Sequence, residues 1–295
     1  MTRYMRSTDR NGKISAQGKR SEWVTRIGYH ECMMNHSGLI DVRGLSSSYG
    51  DNQVLHQIEF TIVRGQVTVI MGVSGCGKST ILRHLIGLKP SQPGQLLLEG
   101  RDAAALGTEG WTDYRRRIGV LFQSSALFNS LTVAENVAVP LRVHSRLPQE
   151  TIRIICQIKL HLVGLADYSD YMPSQLSGGM RKRAGLARAL AMDPEILFVD
   201  EPSSGLDPIT AAGLDELLLA LRDALGVTII VVTHELESAF RIADQMLVLD
   251  KGRLLVAGTP EEVRQSSDQR VLQFLRRIAD QQQRHAGEYL AKLIG

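Results

Sequence analysis

The sequence predicts an α/β fold: a parallel core sheet with crossover helices. Three observations carry that expectation. Short β-branched runs alternate along the chain with segments of helical periodicity. Two of the runs, EILFVD (195–200) and VTIIVVTH (227–234), are continuously apolar until their last residues, as strands covered on both faces require. A third, VTVIMG (67–72), runs straight into the glycine-rich stretch GVSGCGKST (72–80) and then into a helical pattern.

In chain order, residues 1–36 lack both regular periodicity and the apolar core of a secretory signal. They carry seven Lys/Arg against three Asp/Glu, and are expected to be a basic, disordered leader. LIDVRGL (39–45) and HQIEFTIV (56–63) alternate apolar and polar residues, so a meander of half-buried strands, an antiparallel β subdomain, should precede the parallel core. STILRHLIGL (79–88) follows the glycine loop as a helix, and IGVLFQ (118–123) is a further strand ending at Gln123. From about 124 to 192 the pattern turns helical, through SLTVAENVAVPLRV, ETIRIICQIKLHLVGL and GGMRKRAGLARALAM, and reads as an inserted helical subdomain. After the two apolar strands comes a hairpin, MLVLDKGRLLVAG, turning at Lys251-Gly252. Residues 263–295 are expected to form a C-terminal helical extension, in which Val271, Leu272, Leu275 and Ile278 share a face that needs an apolar surface to cover it, on a partner chain or else on its own domain.

At 295 residues with 43% hydrophobic and 22% charged, the chain can bury a large core. The leader carries more than the whole net charge of +3, which leaves the rest near neutral and gives no sign of a basic face for nucleic acid. Three widely spaced cysteines, Cys32, Cys76 and Cys156, suit a reducing compartment better than a disulfide framework or a zinc site. The longest apolar runs fall far below the roughly 18–20 residues needed to span a bilayer, so any membrane role is expected to come through a partner.

Gly72-Val73-Ser74-Gly75-Cys76-Gly77-Lys78-Ser79 matches G-x-x-x-x-G-K-[ST], with Thr80 next, in the strand-to-helix setting that the chemistry needs. Glycines let backbone N–H groups close around phosphate oxygens, Lys78 reaches the β and γ phosphates, and Ser79 is placed to ligate Mg²⁺. Asp200 and Glu201 end an apolar strand. Alone such a pair reads as a solvated loop, but behind a phosphate loop Asp200 is the expected Mg²⁺ ligand and Glu201 the carboxylate that orients or deprotonates water. His234, also at a strand end, is a candidate γ-phosphate contact, and Gln123 a candidate bridge from Mg²⁺ or water to the helical insertion. The remaining histidines read as structural. Cys76 lines the loop, where it reads more simply as a small residue that fits than as a reactive thiol.

A second glycine stretch, QLSGGMRK (175–182), has no role in that site as read so far. LSGGM, followed by an Arg/Lys-bearing helix and then by ILFVDEP, SGLD and VVTH in that order, resembles the ATP-binding cassette (ABC) ATPases over about residues 38–262. The resemblance implies a P-loop NTPase fold of ABC type and an ATPase using ATP and Mg²⁺. It also implies a head-to-tail homodimer in which Ser177, Gly178 and Gly179 close over the γ phosphate held by a second subunit. Met180 stands where the family usually has Gln. By the same resemblance Tyr49, in SSYGDNQVL, stacks on adenine with Val54 packing nearby, and Asp207 links the two sites across the dimer.

GVLFQSSALFNSLTVAENVAVPLRVHSRLP (119–148), with LSGGM and DEPSSGLDPIT, is similar to the ATPases of Mla-type and Mce-associated phospholipid transporters. DQRVLQFL and AGEYLAKL resemble the extension that those ATPases place against a partner subunit. SSGLDP has the general ABC form where many close Mla ATPases have an altered loop, so the resemblance favours the wider Mce-linked group. It implies a peripheral subunit on the cytoplasmic face of the bacterial inner membrane, with a membrane permease, an Mce-type lipid-binding protein and a small regulatory subunit as partners. The alternatives are the ATPase of an importer for a polar solute such as an amino acid, and a soluble non-transport ABC ATPase. The last fits poorly, because only about 120 residues separate Lys78 from Asp200, with no heptads and no Cys pairs.

Overall fold

The structure, a computed structural model, describes residues 38–276. The expected leader, and the extension beyond Arg276 with Ile278, lie outside the described residues. In chain order the strands and first helices are β1 (Ile40–Tyr49), β2 (Asn52–Ile62), β3 (Val67–Gly72), α1 (Lys78–Leu85), β4 (Leu96–Leu98), β5 (Arg101–Asp102), α2 (Gly107–Arg116) and β6 (Ile118–Leu121). Then come α3 (Val133–His144), α4 (Gln149–Leu162), α5 (Gly178–Ala189), β7 (Ile196–Asp200), α6 (Pro208–Leu225), β8 (Thr228–Thr233), α7 (Leu236–Ile242), β9 (Gln245–Asp250), β10 (Arg253–Gly258), α8 (Pro260–Arg264) and α9 (Gln269–Leu275).

Two sheets form. One is antiparallel, in the order β2-β1-β4-β5; the other is six-stranded, β10-β9-β3-β8-β7-β6, parallel except for the edge strand β10. The core strands are buried on both faces by strict alternation. Val69, Met71, Leu197 and Val199 join a core shared with α3, α4, α5 and α6. Ile70, Ile196, Phe198 and Val232 join a second core with the antiparallel sheet and with Ile81 and Leu85 of α1. That division explains why these strands read as unbroken apolar runs. Arg64 and Arg117 each bridge Glu99 and Glu195, tying the end of β4 to the entrance of β7.

Helices α3–α5 are inserted between β6 and β7. Thr132 starts α3 with a capping box shared with Glu135. Fully buried Asn136 holds the preceding loop by accepting from Phe128 N and donating to Phe128 O, Leu131 O and Thr132 O. The structure departs from the sequence reading at several places. β1 and β2 run on through Ser46–Tyr49 and Asn52–Leu55, where the polar alternation gives no signal; Ser47 is buried against His84. Gln123 lies two residues beyond β6 rather than at its end. On α9, Val271 is fully buried in its own chain's core with Phe274 and Leu275 packed alongside, while Leu272 stays half-buried. Asp268 caps this helix and Arg270 pairs with Asp250. Among the described residues no helix is long and apolar enough to cross a membrane.

Candidate active site

The parallel register puts Gly72 beside Leu249, Met71 beside Thr233 and Asp200 beside Val232, so the loops after β3, β7 and β8 open at one edge of the sheet. Crevices outside the carboxyl ends of parallel strands are where α/β proteins bind ligands. Gly72 turns with φ 153°, and a Cβ there would stand 2.2 Å from Leu249 O and 2.7 Å from Cys76 Sγ, so only glycine fits. Gly77 precedes α1 in a left-handed conformation and offers no side-chain cap. The backbone N–H groups of Gly75, Gly77 and Ser79 have no hydrogen-bond acceptor among the described residues, while that of Lys78 points to the Cys76 sulfur. These free donors at a helix N-terminus form an anion cradle.

Lys78 is buried, and its Nζ donates to Gly72 O (2.8 Å) and Val73 O (3.2 Å), closing the loop on itself. Ser74 and Ser79 are exposed, and Thr80 is buried. Burial pushes the Cys76 thiol up, against the pull of Lys78, which disfavours the thiolate that would attack a thiol reagent. Val54 lies beside the loop: a Cβ on Gly77 would meet its carbonyl oxygen at 3.5 Å. Tyr49, 45% exposed, accepts a hydrogen bond from Arg83 Nη1 (3.0 Å), which draws its phenol down; Lys89 Nζ sits 3.5 Å over the ring.

Across the crevice, burial first and the Glu201 carboxylate second push Asp200 up, while Lys182 and Lys78 pull it back. Glu201 is 9% exposed and adopts φ 47°, a left-handed backbone unfavourable for a residue with a Cβ. Its Oε2 lies 2.8 Å from His234 Nδ1, and its N–H donates to Val232 O. The Gln123 amide donates to Ser204 Oγ at 3.4 Å. A hydroxyl and two carboxylates facing a phosphate cradle make an all-oxygen donor set, which suits a hard divalent cation such as Mg²⁺. The arrangement can hold a nucleotide triphosphate and place a carboxylate–imidazole pair where water would attack it.

Gly72–Thr80, Gln123, Asp200, Glu201 and His234 thus follow the carboxyl ends of adjacent parallel strands, with Val54 beside Gly77 and Tyr49 bonded to Arg83 of α1. Ser177, Gly178, Gly179 and Asp207 are not tied to these residues by any hydrogen bond among the described residues. Exposed Ser177 caps α5 by accepting from Met180 N, and a Cβ on Gly179 would stand 2.5 Å from Thr210 Cγ2. The Asp207 carboxylate caps α6, accepting from Ile209 N, Thr210 N and Thr210 Oγ1. Sequence reasoning missed Lys182, whose Nζ donates to the backbone oxygens of both Gln123 and Glu201; a lysine in a charged helical stretch gives no sign of that burial.

The family model described as ABC transporter matches residues 55–204. The chain is 40% identical to the intermembrane phospholipid transport system ATP-binding protein MlaF of Haemophilus influenzae, over 83% of this chain and 93% of that one. It is 42% identical to the probable ribonucleotide transport ATP-binding protein mkl of Mycobacterium tuberculosis, over 80% and 66% respectively. Two solved structures share the fold at 31% identity. One is cbiO1 from Clostridium perfringens, part of the ABC transporter complex cbiONQ, at TM-score 0.72 over 78% of this chain and 91% of that one. The other is the dimeric bacterial ABC transporter cassette MJ0796, at 0.69 over 75% and 98%. With the phosphate loop, the carboxylate pair and the helical insertion in this arrangement, the chain belongs to the ABC transporter family and is an ATP-hydrolysing cassette.

Proposed function

We propose that this protein is the ATPase subunit of a membrane transporter that moves phospholipid. The observation that carries the reading is 40% identity to MlaF along 93% of that protein's length. In this reading the free N–H groups of the Gly72–Ser79 loop and Lys78 bind the β and γ phosphates. Ser79, Asp200 and Gln123 would hold Mg²⁺, which when bound neutralises charge on the phosphates. Glu201 takes the proton of the attacking water, and His234 fixes the orientation of that carboxylate through the 2.8 Å contact while facing the γ phosphate. Tyr49 presents one ring face to adenine with Val54 beside it.

Ser177, Gly178 and Gly179 act on a second copy's nucleotide, so the working unit is a head-to-tail homodimer. The absence of any hydrogen bond from them to their own chain's loop, among the described residues, and the dimeric form of the MJ0796 cassette support this. Asp207 lies between the two sites, and the Gln123 loop couples hydrolysis to a permease held against the helical insertion. The remaining partners are an Mce-type lipid-binding protein and a small regulatory subunit, with the ATPase on the cytoplasmic face of the inner membrane.

The identity to mkl, whose name specifies ribonucleotide transport, favours a second reading: the ATPase of a polar-solute importer. Co-purification with the permease, followed by analysis of bound lipid and of ATPase stimulation, separates the two. Phospholipid at stoichiometric levels and stimulation by phospholipid vesicles are expected. Stimulation by a polar solute, with no bound lipid, would overturn the lipid reading.

A further inference from the structure

Three positions spaced by three along α5, Lys182, Gly185 and Arg188, face the loop after β6. Lys182 Nζ donates to Gln123 O (2.5 Å) and to Glu201 O (2.9 Å). Arg188 donates to Ser125 O and Ala126 O, both at 2.8 Å. A Cβ on Gly185 would stand 2.8 Å from Leu121 Cδ1 and 3.3 Å from Ser125 O. The loop therefore rides on α5, the helix that begins at Ser177. Ser125 and Ala126 hold positive φ angles of 60° and 47° in this grip.

Lys182 does more than hold the loop. It is 5% exposed, and burying an ammonium is costly unless its donors are matched. Burial pushes its pKa down, while Asp200 and Glu201 pull it back up. An apolar side chain of similar length would fill the same space. The donors are spent on two backbone oxygens from different parts of the fold, one of them belonging to the residue with the strained left-handed backbone.

We propose that Lys182 is a positioning residue: it pins the Glu201 carbonyl, and with it the backbone conformation that aims the Glu201 carboxylate, to the helix that carries the Ser177 motif. The inference rests on the reading of Glu201 as the carboxylate that activates water. A tilt of α5 then reaches Glu201 and Gln123 together through one ammonium, without passing through the nucleotide.

The test measures ATP turnover and nucleotide affinity of the full chain carrying Lys182→Met, which keeps length and removes the donors. The expected result is a fall in kcat of roughly 10- to 100-fold, KM for ATP within about twofold, and partial recovery in Lys182→Arg. In a Glu201→Gln background, Lys182→Met should lower the residual rate by much less than it does in wild type, because the carboxylate it positions is already gone and only its hold on Gln123 is left to lose. Should Lys182→Met fail to fold, as judged by its urea midpoint, Lys182→Leu serves in its place. A wild-type kcat in the folded variant, or a further loss of similar size in the double variant, overturns the inference. Wild-type turnover in Glu201→Gln alone would instead overturn the reading of Glu201 on which it rests.

Discussion

Lys78 and Glu201 should fail in different ways. Lys78→Ala removes the buried ammonium that closes the phosphate loop, and charge-assisted contacts of that kind contribute about 1.5–3 kcal/mol, so ATP affinity should fall roughly 10- to 100-fold in equilibrium binding. Glu201→Gln should leave affinity intact and slow turnover by about 10²–10⁴-fold. Equal turnover to wild type would show that another group activates water. His84 makes a prediction of its own. It is buried with Nε2 on Ser47 Oγ and Nδ1 without a partner, and burial holds its pKa down at about 4. The unfolded chain binds that proton near pH 6.5, so this contribution to stability is fully present above pH 6.5 and is lost as pH falls toward 4, by up to about 3 kcal/mol. Urea midpoints at pH 7.5 and 5 should show the loss in wild type and a flatter dependence in His84→Gln. The proposed site residues could be named from sequence because glycines, lysine and carboxylates at fixed spacing state their chemistry there. His84 and Lys182 were not, since nothing local distinguishes a buried titratable side chain from an exposed one.

Among elements, the continuous apolar runs announced β7 and β8, and the phosphate loop located the end of β3 to the residue. β4, β5 and α2 were not announced: β4 and β5 span three and two residues, and α2 buries only Tyr114. The amphipathic face of α9 was legible, but not its partner, because periodicity says that a face is covered and not by what. Val271→Ala should cost about 2 kcal/mol of stability, from lost burial and the cavity left behind. An unchanged urea midpoint would mean that α9 does not belong to the folded core. Glu195 works at the junction of the sheets, where Arg117 first and Arg64 second hold its carboxyl down at about 2. Its contribution is present above about pH 4.5 and lost as pH falls toward 2. At 40% side-chain exposure it is worth no more than about 1 kcal/mol, so Glu195→Gln should blunt only the most acidic part of the stability curve.

For the whole molecule, the decisive experiment mixes two crippled chains. Lys78→Ala removes the phosphate loop's cation, and Ser177→Arg fills the first turn of α5 with bulk and charge. In a Glu201→Gln background neither homodimer should trap ATP, whereas each mixed dimer should regain one intact composite site and retain labelled ATP through rapid desalting. No retention in mixtures proven to contain heterodimers would mean that Ser177–Gly179 serve no neighbour. The sheet order has one more consequence, for how the chain is made. Among the described residues the only strands paired with β3 are β8 and β9, both synthesised more than 150 residues later. During translation the phosphate loop therefore emerges on a strand with neither neighbour yet in existence, and such long-range pairing forms late. Ribosome-stalled chains ending before residue 245 should not bind ATP, and ATP capacity should appear abruptly once β9 has left the exit tunnel.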